Sequence, residues 1–276
     1  MVYTPSTLKE LCQRYGFSPS KAYGQNYLIS EKPITAMIAA ANIQKEDVVI
    51  EIGPGFGMLT HALAPVAKKV ICFEIEKQLQ PYWDEHAPTN VDIIWGNALH
   101  HLASITKELQ RYKVVANVPY QITSQLLRVL LELDNPPEDI VVMVQKEVAE
   151  RMCDAPGSMS MLAVSVQYYG AVSVVMNVTK GNFWPMPKVH SAVVHIKIKK
   201  SDYTKEQEAA FFRLVKVGFS NKRKQLRHNI MHAYPIDDTT LRKILHDISG
   251  SDMVRAQELS IDQWKQLTSA LQPYHQ

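Results

Sequence analysis

The chain has 276 residues, 46% of them hydrophobic and 21% charged, with a formal net charge of +3. That length suits one main domain with a small appendage, and the apolar share supports a core without disulfide staples. No run approaches the ~20 apolar residues of a membrane span, and so mild a positive charge does not by itself demand a polyanionic partner. Residues 1–15 lack an apolar stretch and carry Glu10, which is unlike a secretory signal. Cys12, Cys72 and Cys153 are far apart and form no Cys-x-x-Cys pair, so a reducing cytoplasm and no metal are expected.

Between Asp47 and Lys146, short aliphatic runs alternate with helical patterns. Residues 48–52, 70–75, 91–95, 114–117 and 140–144 lack the polar alternation of half-exposed strands, and so predict strands buried on both faces of a parallel sheet. Residues 59–68 and 124–133 predict helices between them. The alternation implies an α/β doubly wound, Rossmann-like domain with right-handed crossovers. After Val144 the pattern changes. A polar helix over 145–152, a loop at Pro156-Gly157-Ser158 and a helix over 161–169 precede two strands, 172–178 and 189–198, that close the sheet as an antiparallel edge hairpin. The tract 199–202 marks a boundary, and 204–276 is helical throughout, which divides the chain into a main domain (1–200) and a small helical one (201–276).

Glu51-Ile52-Gly53-Pro54-Gly55-Phe56-Gly57 follows the first strand and opens a helix. Glycines there let the backbone approach a ligand and leave helix N-terminal amides free. The spacing is not the dinucleotide pattern G-x-G-x-x-G, because the third glycine comes one residue early. Taken alone, it reads equally as a tight turn. Glu74 ends the next strand, where an acid can accept hydrogen bonds from both hydroxyls of an adenosine ribose. Glu51 beside the turn and the lack of a Walker lysine disfavour a polyphosphate and favour a cationic donor.

The strand 114–117 runs into Asn117-Val118-Pro119-Tyr120. The Asn offers a side-chain acceptor, the Pro fixes the turn and removes a donor, and the Tyr offers a face for a nucleobase. Asn-x-Pro-Tyr also makes an ordinary strand-ending turn. Downstream, residues 211–230 hold Arg213, Lys216, Lys222, Arg223, Lys224 and Arg227 with no carboxylate, which suits phosphate contacts better than a merely solvated face.

Together these blocks resemble those of the ribosomal RNA adenine dimethyltransferases, a branch of the class I S-adenosylmethionine methyltransferases. Gly24-Gln25-Asn26-Tyr27-Leu28, the Gln145-to-Arg151 block, Phe183-Trp184-Pro185-Met186-Pro187-Lys188-Val189 and the Phe219-to-Leu226 block follow the family order. The resemblance implies donor contacts from Gln25, Asn26, Leu28, Gly53, Gly55, Glu74, Asn97 and Asn117. It implies an acceptor site of Asn117, Val118, Pro119 and Tyr120, with Phe183 as a second stacking face, and RNA contacts from Lys188, Lys222, Arg223, Lys224 and Arg227. One position departs from the pattern. Asn97 stands where the family commonly has an Asp that accepts from the donor's adenine amine, which implies donor binding weaker by roughly 1 kcal/mol.

The implied reaction is transfer of methyl groups to the N6 amines of two adjacent adenosines near the 3′ end of 16S RNA. The implied substrate is the immature small subunit, and the enzyme is expected to be a cytoplasmic monomer. Two other readings stand beside it: a large-subunit adenine methyltransferase of the macrolide-resistance type, and a non-catalytic RNA-binding assembly or transcription factor on the same fold. The Gln145-to-Arg151 and Phe183 blocks favour small-subunit RNA, and the intact Asn117-to-Tyr120 turn with Glu74 favours chemistry.

Overall fold

The computed structural model describes residues 3–20, 24–199 and 203–274. The expected boundary therefore falls largely outside the described residues, since Lys200, Ser201 and Asp202 are not among them. In chain order the first elements are α1 (Pro5–Arg14), β1 (Tyr27–Leu28), α2 (Glu31–Ala41), β2 (Val48–Ile52), α3 (Thr60–Leu63), β3 (Lys69–Glu74) and α4 (Gln80–His86). There follow β4 (Val91–Trp95), α5 (Ala98–Thr106), β5 (Lys113–Asn117), α6 (Thr123–Glu132), β6 (Asp139–Gln145), α7 (Lys146–Met152) and α8 (Met161–Tyr169). The chain then forms β7 (Gly170–Val178), β8 (Phe183–Trp184) and β9 (Ser191–Ile198), and ends in α9 (Lys205–Gly218), α10 (Leu226–Met231), α11 (Asp238–Ser249) and α12 (Ile261–Ala270). Two compact units result. One is Met1–Ala149 with Ala171–Ile198, and the other is Glu150–Gly170 with Lys199–Gln276.

The first unit is built on a seven-stranded sheet of order β4-β3-β2-β5-β6-β9-β7. The first five of these strands pair in parallel and β9 runs antiparallel to β6, with Gln145 opposite Ser191. The aliphatic runs make this sheet because both its faces are covered. All five residues of β2 except Val48 are buried, as are the first six of β6. Strand order reverses between β2 and β5. In open α/β sheets ligands bind beyond the carboxyl ends of the strands at such a point, and here those ends are Ile52, Glu74, Trp95 and Asn117.

Two expectations about elements need correction. The helix expected over 59–68 is only the four residues of α3, capped by Ala64, because Pro65 has no N–H to donate to the preceding turn. The strand expected over 189–198 is β9 alone. Ahead of it, β8 leaves the main sheet and pairs antiparallel with β1, with Tyr27 opposite Trp184 and Leu28 opposite Phe183.

The second unit is a cluster of helices with its own apolar core around Phe211, Leu214, Leu241, Leu245 and Trp264, all fully buried. Thr204 and Gln207 close a reciprocal capping box at the start of α9, and Ser260 and Gln263 close another at α12. Gly218 at the end of α9 lets the Trp264 ring approach. A Cβ there would lie 2.4 Å from the indole Cη2 and 2.9 Å from Leu226 Cδ1. No described helix is long and apolar enough to cross a membrane.

Candidate active site

At the carboxyl end of β2 the chain turns through Gly53 and Gly55, whose φ angles of 73° and 56° lie in the left-handed region that favours glycine. Both polar groups of Gly55 are held. Its N–H donates to Glu74 Oε2 at 3.0 Å, and its carbonyl accepts the Trp83 indole N–H at 3.0 Å. The next carbonyl, of Phe56, accepts from the Tyr82 hydroxyl at 2.8 Å. A side chain at Gly55 would collide with Tyr27, 2.5 Å from its ring, whereas a Cβ at Gly53 meets only Pro119, at 4.0 Å. The turn is thus pinned from behind by α4 and open in front.

Glu74 is 4% exposed, and its other oxygen, Oε1, accepts the Glu76 N–H at 2.8 Å. One backbone donor on each oxygen fixes the plane of the carboxylate. Burial pushes its pKa up, and the backbone donors of Glu76 and Gly55 hold it back. Asn117, at the end of β5, donates its amide N–H to the Asn26 carbonyl at 3.1 Å, and Asn26 donates to the Gly24 carbonyl at 2.9 Å. With its nitrogen so engaged, the Asn117 carboxamide keeps its oxygen as an acceptor. Tyr120 is half-buried, and its hydroxyl lies 2.7 Å from Ser191 Oγ. Asn97 caps α5, with its oxygen accepting the Leu99 N–H at 3.0 Å, so that acceptor is already shared with the helix end.

These residues surround a cavity of about 310 Å³. Gln25, Asn26, Gly53, Gly55, Glu74, Asn97, Asn117, Val118, Pro119 and Tyr120, all singled out from the sequence, line it. Leu28 and Phe183 do not. They are 2% and 3% exposed, and the β1–β8 pairing seats both side chains in the apolar core. The sequence reading missed Tyr27, Phe73, Ile75, Ala98, Gln121 and Ile122 as wall residues. Ile75 carried a signal that went unused, an apolar residue directly after the strand-ending acid, and it is 49% exposed. Among the described lining residues one is a carboxylate and none is Lys or Arg. A polyphosphate would find no counter-charge here, whereas a cationic adenosine-containing sulfonium suits the wall. Among the described residues no group of three or more His, Cys, Asp or Glu is placed to hold a metal ion.

Glu51, below the turn, is 2% exposed and accepts from Thr60 Oγ1 at 2.7 Å and from Cys72 Sγ at 3.6 Å. Burial pushes its carboxyl from the ordinary 4.5 up to about 8. Between those two values the unfolded chain has lost a proton that the folded chain keeps. Stability therefore falls as pH rises through that window and levels off above it. Glu51→Gln removes this contribution and flattens the slope by up to ~1.4 kcal/mol per pH unit. Glu74 leaves a residual slope of the same sign. Urea unfolding from pH 5 to 8.5 measures the difference, and parallel curves for the two proteins would contradict it.

In the second unit the basic block is a turn over residues 219–225, and only its last residue, Leu226, enters a helix, α10. Phe219 caps α9, and Asn229 donates to the carbonyls of Gly218 and Asn221 at 2.7 and 3.3 Å, which holds the turn. Lys222, Arg223 and Lys224 are exposed on it. Arg227 differs from its neighbours. Its side chain is 17% exposed and pairs with Asp238 at 2.7 Å, so its charge is answered within the protein. In the first unit, Lys188 is exposed between β8 and β9.

The sequence pattern of the family described as "Ribosomal RNA adenine dimethylase" matches residues 16–272. Curated relatives from Bacillus mycoides (strain KBAB4) and Bacillus anthracis (strain A0248), each named "Ribosomal RNA small subunit methyltransferase A", are 37% identical over 98% of this chain and 97% of their own length. A dimethyladenosine transferase from Plasmodium falciparum superposes with a TM-score of 0.72 at 27% identity, over 87% of this chain and 95% of that one. The 23S rRNA methyltransferase ErmE shares the fold, with a TM-score of 0.71 at 24% identity over 89% and 99% of the two chains. With the glycine turn, the strand-ending Glu74 and the Asn117-to-Tyr120 corner gathered on one cavity, and with sequence likeness running nearly end to end, this chain belongs to the ribosomal RNA adenine dimethylase family.

Proposed function

We infer that this chain is a methyltransferase that converts two adjacent adenosines near the 3′ end of small-subunit ribosomal RNA to N6,N6-dimethyladenosine. The observation that carries the reading is the Asn117 corner, where a carboxamide whose nitrogen is tied to Asn26 lines the same cavity as the strand-ending acid Glu74. When bound, S-adenosylmethionine supplies a methyl carbon on a sulfonium. Glu74 holds the ribose hydroxyls, Gly53 and Gly55 let the backbone approach, and Gln25, Asn26 and Asn97 complete the donor wall.

The N6 amine of adenine is a poor nucleophile because its lone pair is delocalised into the ring. The Asn117 oxygen and the Val118 carbonyl each accept one of its N–H groups, draw the nitrogen toward tetrahedral geometry and free the lone pair. This is positioning and electrostatics, and needs no strong base. Tyr120 stacks on the adenine, which must be unpaired to enter. Phe183, paired with Leu28 and buried in the apolar core, is left without a stacking role in this reading. A second methyl transfer requires the mono-methylated amine to return, so the walls around N6 must leave room for a methyl group.

The basic turn supplies phosphate contacts. Charge reversal at Arg223 and Lys224 is expected to lower the slope of log K against log salt by roughly 1.4–1.8 for RNA, near 0.7–0.9 per contact. The same change at Arg227, already paired with Asp238, should leave the slope alone. Filter binding between 50 and 200 mM salt checks both.

Radiolabelled transfer to unmethylated small subunits, followed by primer extension, tests the function. Label on two adjacent small-subunit adenosines is expected. Label on large-subunit RNA instead would favour the resistance-type reading, and no label on either would favour a non-catalytic factor.

A further inference from the structure

We propose that Ser191 is a positioning residue for the acceptor base, acting through the hydroxyl of Tyr120. The proposal rests on the function inferred above and adds a residue to it.

Tyr120 follows Pro119 and opens a single turn of tight helix, Tyr120–Ile122, with its ring half-buried along the cavity wall. Nothing in so short a turn stops the ring rotating about its side-chain bonds. The restraint comes from outside it. Tyr120 Oη lies 2.7 Å from Ser191 Oγ, seventy-one residues on in the chain. Ser191 is fully buried, and its backbone is held on both sides of the contact. It sits opposite Gln145 in the β6–β9 ladder, and the neighbouring His190 carbonyl accepts the Lys146 N–H at 2.9 Å. A serine anchored in the central sheet is a fixed post, whereas the tyrosine it grips stands on a loop.

A hydrogen bond at the rim of the ring sets the plane on which a base would stack. Burial pushes the Tyr120 phenol up, so its proton stays in place for the contact across the working pH range. Without the bond the ring still offers an apolar face, and RNA still binds. What is lost is the angle at which the adenine amine meets the donor, and small misalignments of reacting groups are expensive in rate.

The test is a double-mutant cycle on Ser191→Ala and Tyr120→Phe, with Tyr120→Ala alongside. Each conservative change removes the same bond and keeps the ring. Each should lower kcat roughly tenfold, with KM for the RNA within about twofold and the donor dissociation constant unchanged by calorimetry. The double variant should be no worse than either single one. Tyr120→Ala, which deletes the ring itself, should be distinctly worse. Additive losses in the double variant, an unaffected Ser191→Ala, or a loss carried by donor affinity would each overturn the positioning role. Should Ser191→Ala fold poorly, Tyr120→Phe alone decides, since near-normal kcat there shows the bond to be idle. A wild-type enzyme that labels no small-subunit adenosine would overturn the functional reading and this role with it. A labelled wild type with an unaffected Ser191→Ala overturns only the role.

Discussion

Replacing Asn117 by Ala is expected to lower methyl transfer by about 10²–10³-fold while donor affinity changes only a few-fold. The larger effect follows from removing a pre-aligned acceptor from the reacting amine, and losses of that size accompany deletion of a single group that stabilises developing charge. The smaller one follows from the bond between Asn117 Nδ2 and the Asn26 carbonyl, 3.1 Å long. Its loss frees a residue of the donor wall and is worth about 1 kcal/mol. Asn117→Asp is the informative companion. It keeps an acceptor for the amine but puts a carboxylate oxygen against the Asn26 carbonyl, so donor binding should suffer more than in the Ala variant. Single-turnover transfer of labelled methyl, with calorimetry for the donor, separates the two. Near-normal turnover of Asn117→Ala would remove Asn117 from the mechanism.

Glu74→Ala should raise the donor dissociation constant by about 10²-fold or more. Two hydrogen bonds to a charged carboxylate, each worth ~1.5–3 kcal/mol, disappear together. The variant also orphans the Gly55 and Glu76 N–H groups, so the glycine turn itself loosens. Glu74→Gln is expected to do little better. A carboxylate accepts one backbone N–H at each oxygen, whereas a carboxamide must turn its own NH2 toward one of them. Calorimetric titration of the donor measures both variants, and binding by Glu74→Gln as tight as by the unaltered protein would refute the argument.

The parts of the site legible in the sequence are those carried by single short segments at strand ends. Gly53, Glu74 and Asn117 announce themselves because a strand's aliphatic run stops at each, and the parallel sheet then brings the three ends together. What stayed hidden depends on partners far along the chain. Nothing near Trp83 indicates that its indole will hold the Gly55 carbonyl, twenty-eight residues back. Nothing near Ser191 points to Tyr120. Phe183 looked available for stacking because a two-residue strand has no periodicity, and the β1–β8 pairing that buries it cannot be read from either segment. Arg227 looked like one more cation in a run until Asp238, eleven residues on, was seen to answer it.

The second unit is assembled from two stretches of chain, Glu150–Gly170 and Lys199–Gln276, with the strands β7, β8 and β9 made between them. Its order of synthesis is therefore awkward. Helix α8 emerges from the ribosome with Ala163, Val164 and Tyr168 apolar and uncovered, and the helices that bury them are not yet made. Tyr168 ends up 4.3 Å, ring to ring, from Phe211, a residue translated only after β7, β8 and β9 are complete. A chain cut after the sheet would keep that apolar helix permanently bare, so the catalytic half cannot be trimmed free of the other by a single cut.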